Sequence, residues 1–169
     1  SEAARTQAHT GKPLTDAWMA AFYKRRNVRL EAELQAIDGA LDAVAAVHAR
    51  LGGRIACASG ADRYKVEMQL QKVGLAPYFA GRVFSGHEMP ATKPAPDVYL
   101  AAAAALGVPP QRCLVVEDTV TGVTAGVAAG ATVVGLCPSP VGHGSPEALR
   151  AAGAVQVLAH LRELPALLG

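Results

Sequence analysis

The chain is 169 residues long, 51% hydrophobic, and carries a formal net charge of only +2. Its mean hydropathy of +0.21 supplies the apolar material for one domain with a small appendage. No run approaches the roughly 20 consecutive apolar residues of a membrane-spanning helix, and the scattered basic residues leave no nucleic-acid footprint, so neither partner is expected.

The N-terminal stretch Ser-Glu-Ala-Ala-Arg-Thr-Gln has no apolar core of the kind a secretory signal needs. Residues 1–37 read as helical, contain Trp18, Phe22 and Tyr23, and carry no strand. Within them Lys24, Arg25, Arg26 and Arg29 lie beside Glu31 and Glu33, the pattern of a solvated helix face. Asp38 reads as the N-cap of an amphipathic helix through Leu41, Val44, Ala45, Val47 and His48, which Gly52 and Gly53 end. Residues 54–58 read as a buried strand feeding the loop Ser59-Gly60, and a helix over 63–73 closes at Gly74. A short strand at 83–85 is followed by a helix over 96–106, with Pro94 and Pro96 near its start and Gly107 at its end. Residues 113–116 form the clearest strand and stop abruptly at Glu117-Asp118. A helix over 121–129 and a strand over 132–136 come next. Ser145-Pro146 then opens a helix to about residue 152, with an edge strand at 155–158 and a closing helix over 161–168. This alternation predicts an α/β fold, a Rossmann-like, mostly parallel sheet flanked by helices, with ligands at the C-terminal ends of the strands.

Three groups of chemically able residues fall at those strand ends. Ser59 and Gly60 combine a hydroxyl with exposed backbone amides ahead of a helix, which suits a phosphate oxygen; helix N-capping is the plainer use of such a serine. Lys93 lies in Thr92-Lys93-Pro94-Ala95-Pro96-Asp97, where prolines stiffen the backbone behind an ammonium able to neutralise a phosphoryl group or a carboxylate. Glu117 and Asp118 are adjacent acids after a buried strand. Such a pair suits Mg²⁺, with an acidic helix start as the plainer reading. Cys57, Cys113 and Cys137 lack ligand or disulfide spacing and read as buried free thiols of a reducing, cytoplasmic compartment. His9, His48, His87, His143 and His160 are dispersed, and none is expected to bind metal.

In order and spacing, Ser59, then the run Lys93-Pro94-Ala95-Pro96-Asp97-Val98-Tyr99, then Glu117-Asp118-Thr119 with Gly122, Ala125, Gly126, Ala129 and Gly130, resemble the haloacid dehalogenase-like (HAD) superfamily. The likeness is closest to its first subfamily, the phosphatases and phosphoglucomutase-like enzymes with a helical cap. It implies a Mg²⁺-dependent phosphohydrolase acting on a small phosphorylated metabolite through a phosphoaspartyl intermediate. Ser59 and Gly60 would bind the phosphoryl group, Lys93 would stabilise its charge, Asp118 would hold Mg²⁺, and Glu117 would assist. The adjacent acids favour this over a dehalogenase proper. Phosphoglucomutase-like transfer and a non-catalytic phosphate- or metal-binding remnant are the alternatives.

The family's first motif, Asp-x-Asp-Gly-Thr-Leu, finds no match. Asp38-Gly39-Ala40-Leu41-Asp42 has Ala36 where the preceding acid belongs, no strand before it, and too short a distance to Ser59. Residues 1–36 resemble part of a helical cap and residues 37–169 a core whose first strand is missing. The nucleophile is therefore expected on a segment outside these residues.

Overall fold

The computed structural model describes residues 16–139 and 144–169. His9 and His143 lie outside the described residues, as does the N-terminal part of the expected helical region. Contacts divide the chain into two compact units, Ser1–Gln35 and Ala36–Gly169. In the first, helix α1 (Asp16–Glu33) exposes Lys24, Arg25 and Arg29, and Arg29 meets Glu33 one turn on at 2.9 Å. An ion pair this exposed contributes little.

The second unit begins with helix α2 (Ala40–Arg50). Strand β1 (Cys57–Ser59), helix α3 (Arg63–Lys72), strand β2 (Val83–Ser85) and helix α4 (Asp97–Leu106) follow. Then come β3 (Leu114–Glu117), α5 (Val120–Ala128), β4 (Thr132–Leu136), α6 (Pro146–Ala151) and β5 (Gln156–Leu158). Local chemistry sets the helix starts: Asp62, Thr119 and Ser145 each accept a first-turn amide hydrogen bond through the side chain. Gly107, at φ 65°, ends α4 in the left-handed conformation that glycine tolerates.

Every strand pairing is parallel, in two sets, β1–β2 and β3–β4–β5. Parallel neighbours need crossovers, and α3, α5 and α6 supply them. Strand β4 explains why helices cover both faces. Val133 and Val134 are successive, so their side chains point to opposite faces, and both are buried. Val133 packs with Val115, Val123 and Leu149. Val134 and Leu136 pack with Leu158 and Leu164. The result is an α/β fold of parallel sheets flanked by helices.

Among the described residues, β1 pairs only with β2, and β3 only with β4, so each keeps one edge without a strand partner. An apolar groove of about 640 Å³ lies between them, lined by Cys57, Ala58, Tyr99, Ala103, Val115 and Val116 among others. All three cysteines are free, and burial pushes the Cys57 thiol up, which keeps it protonated and inert.

Some local expectations change. Asp38 is not the N-cap of α2: that position is Gly39, at φ 74°, with no side-chain cap. The Asp38 carboxylate instead accepts from His160 Nε2 at 2.9 Å, which holds its carboxyl below the usual range. His160 Nδ1 accepts the Arg162 amide, so the proton is on Nε2. A Cβ at position 39 would lie 2.7 Å from His160 Cε1, so a close approach as well as the positive φ fixes glycine there. Leu41 is exposed, and the buried face of α2 is carried by Ala40 and Ala43. The closing segment Leu161–Leu168 is 3₁₀ rather than α, with Pro165 inside it. Strand β1 is shorter than expected, and three further 3₁₀ turns, at Ala76–Phe79, Gly86–Glu88 and Pro110–Arg112, join the elements.

Gly126 tests the packing of α5 on the sheet. A Cβ there would lie 2.7 Å from Val133 Cγ2 and 3.3 Å from Val115 Cγ1. Helix propensity alone would make Gly126→Ala stabilising by up to ~1 kcal/mol. Overpacking against two buried valines costs ~1–3 kcal/mol. The expected outcome is net destabilisation in urea unfolding, and a gain in stability would refute the close approach.

Candidate active site

Strand periodicity brings the first acid inward. On β3, Val115 and Glu117 share the buried parity, so Glu117 ends the strand only 9% exposed. A carboxylate there needs partners, and three side chains provide them. Lys93 Nζ and Tyr99 Oη both donate to Oε1, and Thr119 Oγ1 donates to Oε2 at 3.1 Å. Thr119 also caps α5 by accepting the Gly122 amide at 3.0 Å. Gly122 is confined by the same carboxylate, since a Cβ there would overlap it.

Lys93 links the two strand sets. Its Nζ also donates to the Ala58 carbonyl on β1 at 3.3 Å, and lies 4.7 Å from the Tyr99 ring centroid, a cation–π contact. The Tyr99 phenol is pushed well up by burial and by the neighbouring Glu117 charge, so it remains a donor. Sequence reasoning placed Tyr99 and Thr119 in motifs without giving either a role. A single hydroxyl-bearing residue in the apolar helix α4 was the available signal.

Ser59 ends β1, one position past the carbonyl that Lys93 holds. It does not cap α3, because Asp62 does so by accepting the Lys65 amide at 2.9 Å. The Ser59 hydroxyl instead accepts the Ala61 amide at 3.2 Å, and Gly60 is exposed. Beside this loop, Arg63 donates to both carboxylate oxygens of Glu88 at 2.7 Å and to the Val83 carbonyl at 3.0 Å. That tie keeps the Glu88 carboxyl below its usual range. His87 is exposed at the surface, and His48 stacks edge-on with Tyr78.

The structure thus gathers Ser59, Lys93 and Glu117 around neighbouring strand ends, with Asp118 exposed one residue beyond Glu117. No group of three or more His, Cys, Asp or Glu side chains among the described residues could hold a metal by itself. The available donors are two adjacent carboxylates. Oxygen donors of this kind fit a hard divalent cation that keeps several waters.

A family model described as a haloacid dehalogenase-like hydrolase matches residues 1–130. The chain belongs to this family. Its relatives include 6-phosphogluconate phosphatase of Escherichia coli, 31% identical over 86% of this chain and 62% of that protein. A solved HAD family hydrolase from Deinococcus radiodurans, with bound phosphate and sodium, is 31% identical with a TM-score of 0.79. The alignment covers 98% of this chain and 72% of that one. A CbbY variant from Rhodobacter sphaeroides, in complex with xylulose 1,5-bisphosphate, is 28% identical with a TM-score of 0.73, covering 90% and 67%. The chain therefore spans less than two thirds of the E. coli relative's length.

In this HAD core the Glu117 cluster has a measurable energetic signature. Lys93→Met strands a buried carboxylate and is expected to cost ~3–5 kcal/mol. Tyr99→Phe removes a neutral donor and is expected to cost ~1–3 kcal/mol. Because both donate to one oxygen, a double-mutant cycle in urea should give a coupling of ~0.5–3 kcal/mol. Additive losses would show that the two donors do not act on a common acceptor.

Proposed function

We propose that this chain carries the phosphate grip, the charge-neutralising lysine and the metal-holding acids of a Mg²⁺-dependent phosphohydrolase. Its substrate class is a small phosphorylated metabolite. The relatives named for 6-phosphogluconate and solved with xylulose 1,5-bisphosphate support a sugar or sugar-acid phosphate. The observation that carries the reading is the placement of Lys93 Nζ, in reach of Ala58 at the end of β1 and of Glu117 at the end of β3. An ammonium has three N–H donors. Two are engaged by these groups, which leaves one for a ligand oxygen beside Ser59.

In this reading the Ser59 hydroxyl and the Gly60 amide hold phosphoryl oxygens, and Lys93 offsets their charge. Asp118 is the direct Mg²⁺ ligand, and Glu117, fixed by Lys93, Tyr99 and Thr119, sets the direction of its neighbour. The bound metal supplies further charge neutralisation at the phosphoryl group. The nucleophile is an aspartate on a strand that fills the groove between β1 and β3, and the reaction passes through a phosphoaspartyl enzyme. The unpaired edges of both strands and the apolar lining of the groove support that placement. Residues 1–36 belong to a helical cap that selects the substrate.

The test is hydrolysis of p-nitrophenyl phosphate by the natural protein that contains this chain. Turnover is expected to require Mg²⁺, to vanish with EDTA and return on Mg²⁺ addition. Asp118→Asn should lower it ~100-fold or more. A protein with a verified nucleophile aspartate and no Mg²⁺-dependent turnover would overturn the reading.

A further inference from the structure

Ser85 and Glu117 are the only buried polar or charged residues among the described residues, and Ser85 is fully enclosed at 0% exposure. Glu117 has its partners in the site. Ser85 lies outside it, at the end of β2, in register with Ser59 at the end of β1. Its hydroxyl donates to the Ala61 carbonyl at 2.7 Å and accepts the His87 amide at 3.2 Å. Ser59 holds the other side of the same residue by accepting the Ala61 amide at 3.2 Å. Ala61 is thus clamped at its amide by one serine and at its carbonyl by the other. The next residue closes the loop from behind: a Cβ on buried Gly86 would lie 3.3 Å from Gly60 Cα and 3.4 Å from the Ser59 carbonyl.

We propose that Ser85 is a positioning residue for anion binding by Ser59 and Gly60. Its buried hydroxyl fixes the Ala61 carbonyl, on the residue whose amide Ser59 accepts. That in turn fixes the Ser59 hydroxyl and the Gly60 amide in the arrangement that receives phosphoryl oxygens. The proposal rests on the reading of this loop as the phosphate grip. The chemical reason for a hydroxyl is specific. Without it, a carbonyl on one segment and an amide on another both lose their partner in a dry site, and the loop must shift to satisfy them. The absence of a side chain at Gly86 is what lets the loop approach β2 this closely.

Inorganic phosphate is the probe, titrated by ³¹P NMR or calorimetry into the natural protein that contains this chain, with folding checked by circular dichroism and thermal melting. Ser85→Ala and Ser85→Cys are expected to weaken phosphate binding ~10-fold, while Ser85→Thr, which keeps the hydroxyl, stays within ~3-fold of wild type. Ser59→Ala is the control for the loop itself. Wild-type binding that Ser59→Ala abolishes but folded Ser85→Ala leaves unchanged would overturn the role of Ser85 while leaving the loop reading intact. A Ser85→Thr protein that melts at the wild-type temperature yet loses as much binding as Ser85→Cys would also overturn it, because a retained hydroxyl in an undistorted site would then be irrelevant; this pair decides the matter if Ser85→Ala does not fold. Absence of phosphate binding in the wild-type protein would bring down the loop reading and the proposal together.

Discussion

The contact between Lys93 and Glu117 joins the two strand sets of this molecule. A carboxylate at the buried end of β3 is unfavourable unless its charge and lone pairs are met. Meeting them recruits three places in the chain: the loop before α4 supplies Lys93, the first turn of α4 supplies Tyr99, and the N-cap of α5, two residues on, supplies Thr119. Lys93 then reaches across to the Ala58 carbonyl, so the charge that neutralises Glu117 also ties β1 to β3. The need to satisfy one acid thereby sets the spacing of two strand ends that share no backbone ladder.

The same arrangement separates two tasks that adjacent acids could otherwise confuse. Glu117 accepts three protein hydrogen bonds and cannot move without breaking its ion pair with Lys93. Asp118, past the end of the strand, is exposed and free of that constraint. Placing a fixed, neutralised acid before an accessible one gives the accessible carboxylate a rigid base. Gly122 completes the device, because only a residue without a side chain lets α5 start this close to the Glu117 carboxylate.

Much of this was legible in the sequence, and the failures have local causes. The strands over 83–85 and 132–136 stand where their apolar runs put them, because buried parallel strands have little to confuse them with once Gly and Pro punctuate the helices. The lysine and the acid pair were found from type and position. Which acid faces inward was also readable, since Glu117 shares the parity of Val115, but that follows only once the strand is known to run through residue 117. Asp38 was misread because N-capping is a local rule and its real partner, His160, is 122 positions away. Leu41 failed for a related reason: the 3.6-residue pattern admits a face led by Ala40 and Ala43, and long-range packing chose it. Tyr99 and Thr119 were named in motifs without a role, and Ser85 was read only as the end of a strand, because a hydroxyl declares its importance chiefly through what it touches.

The division of the sheet gives the site its remaining dependence. The Ser59–Gly60 loop belongs to the β1–β2 pair and the acids belong to the β3–β4–β5 set, and their facing edges border an apolar groove. A strand that pairs with both edges would replace one flexible link, the Lys93 side chain, with two backbone ladders. Backbone ladders fix register as well as distance. Under the proposed function, the strand bearing the nucleophile would therefore also set the separation of Ser59 from Asp118. Catalytic geometry and completion of the sheet would then be one event rather than two, and Lys93, already in contact with both sides, is the residue placed to register it.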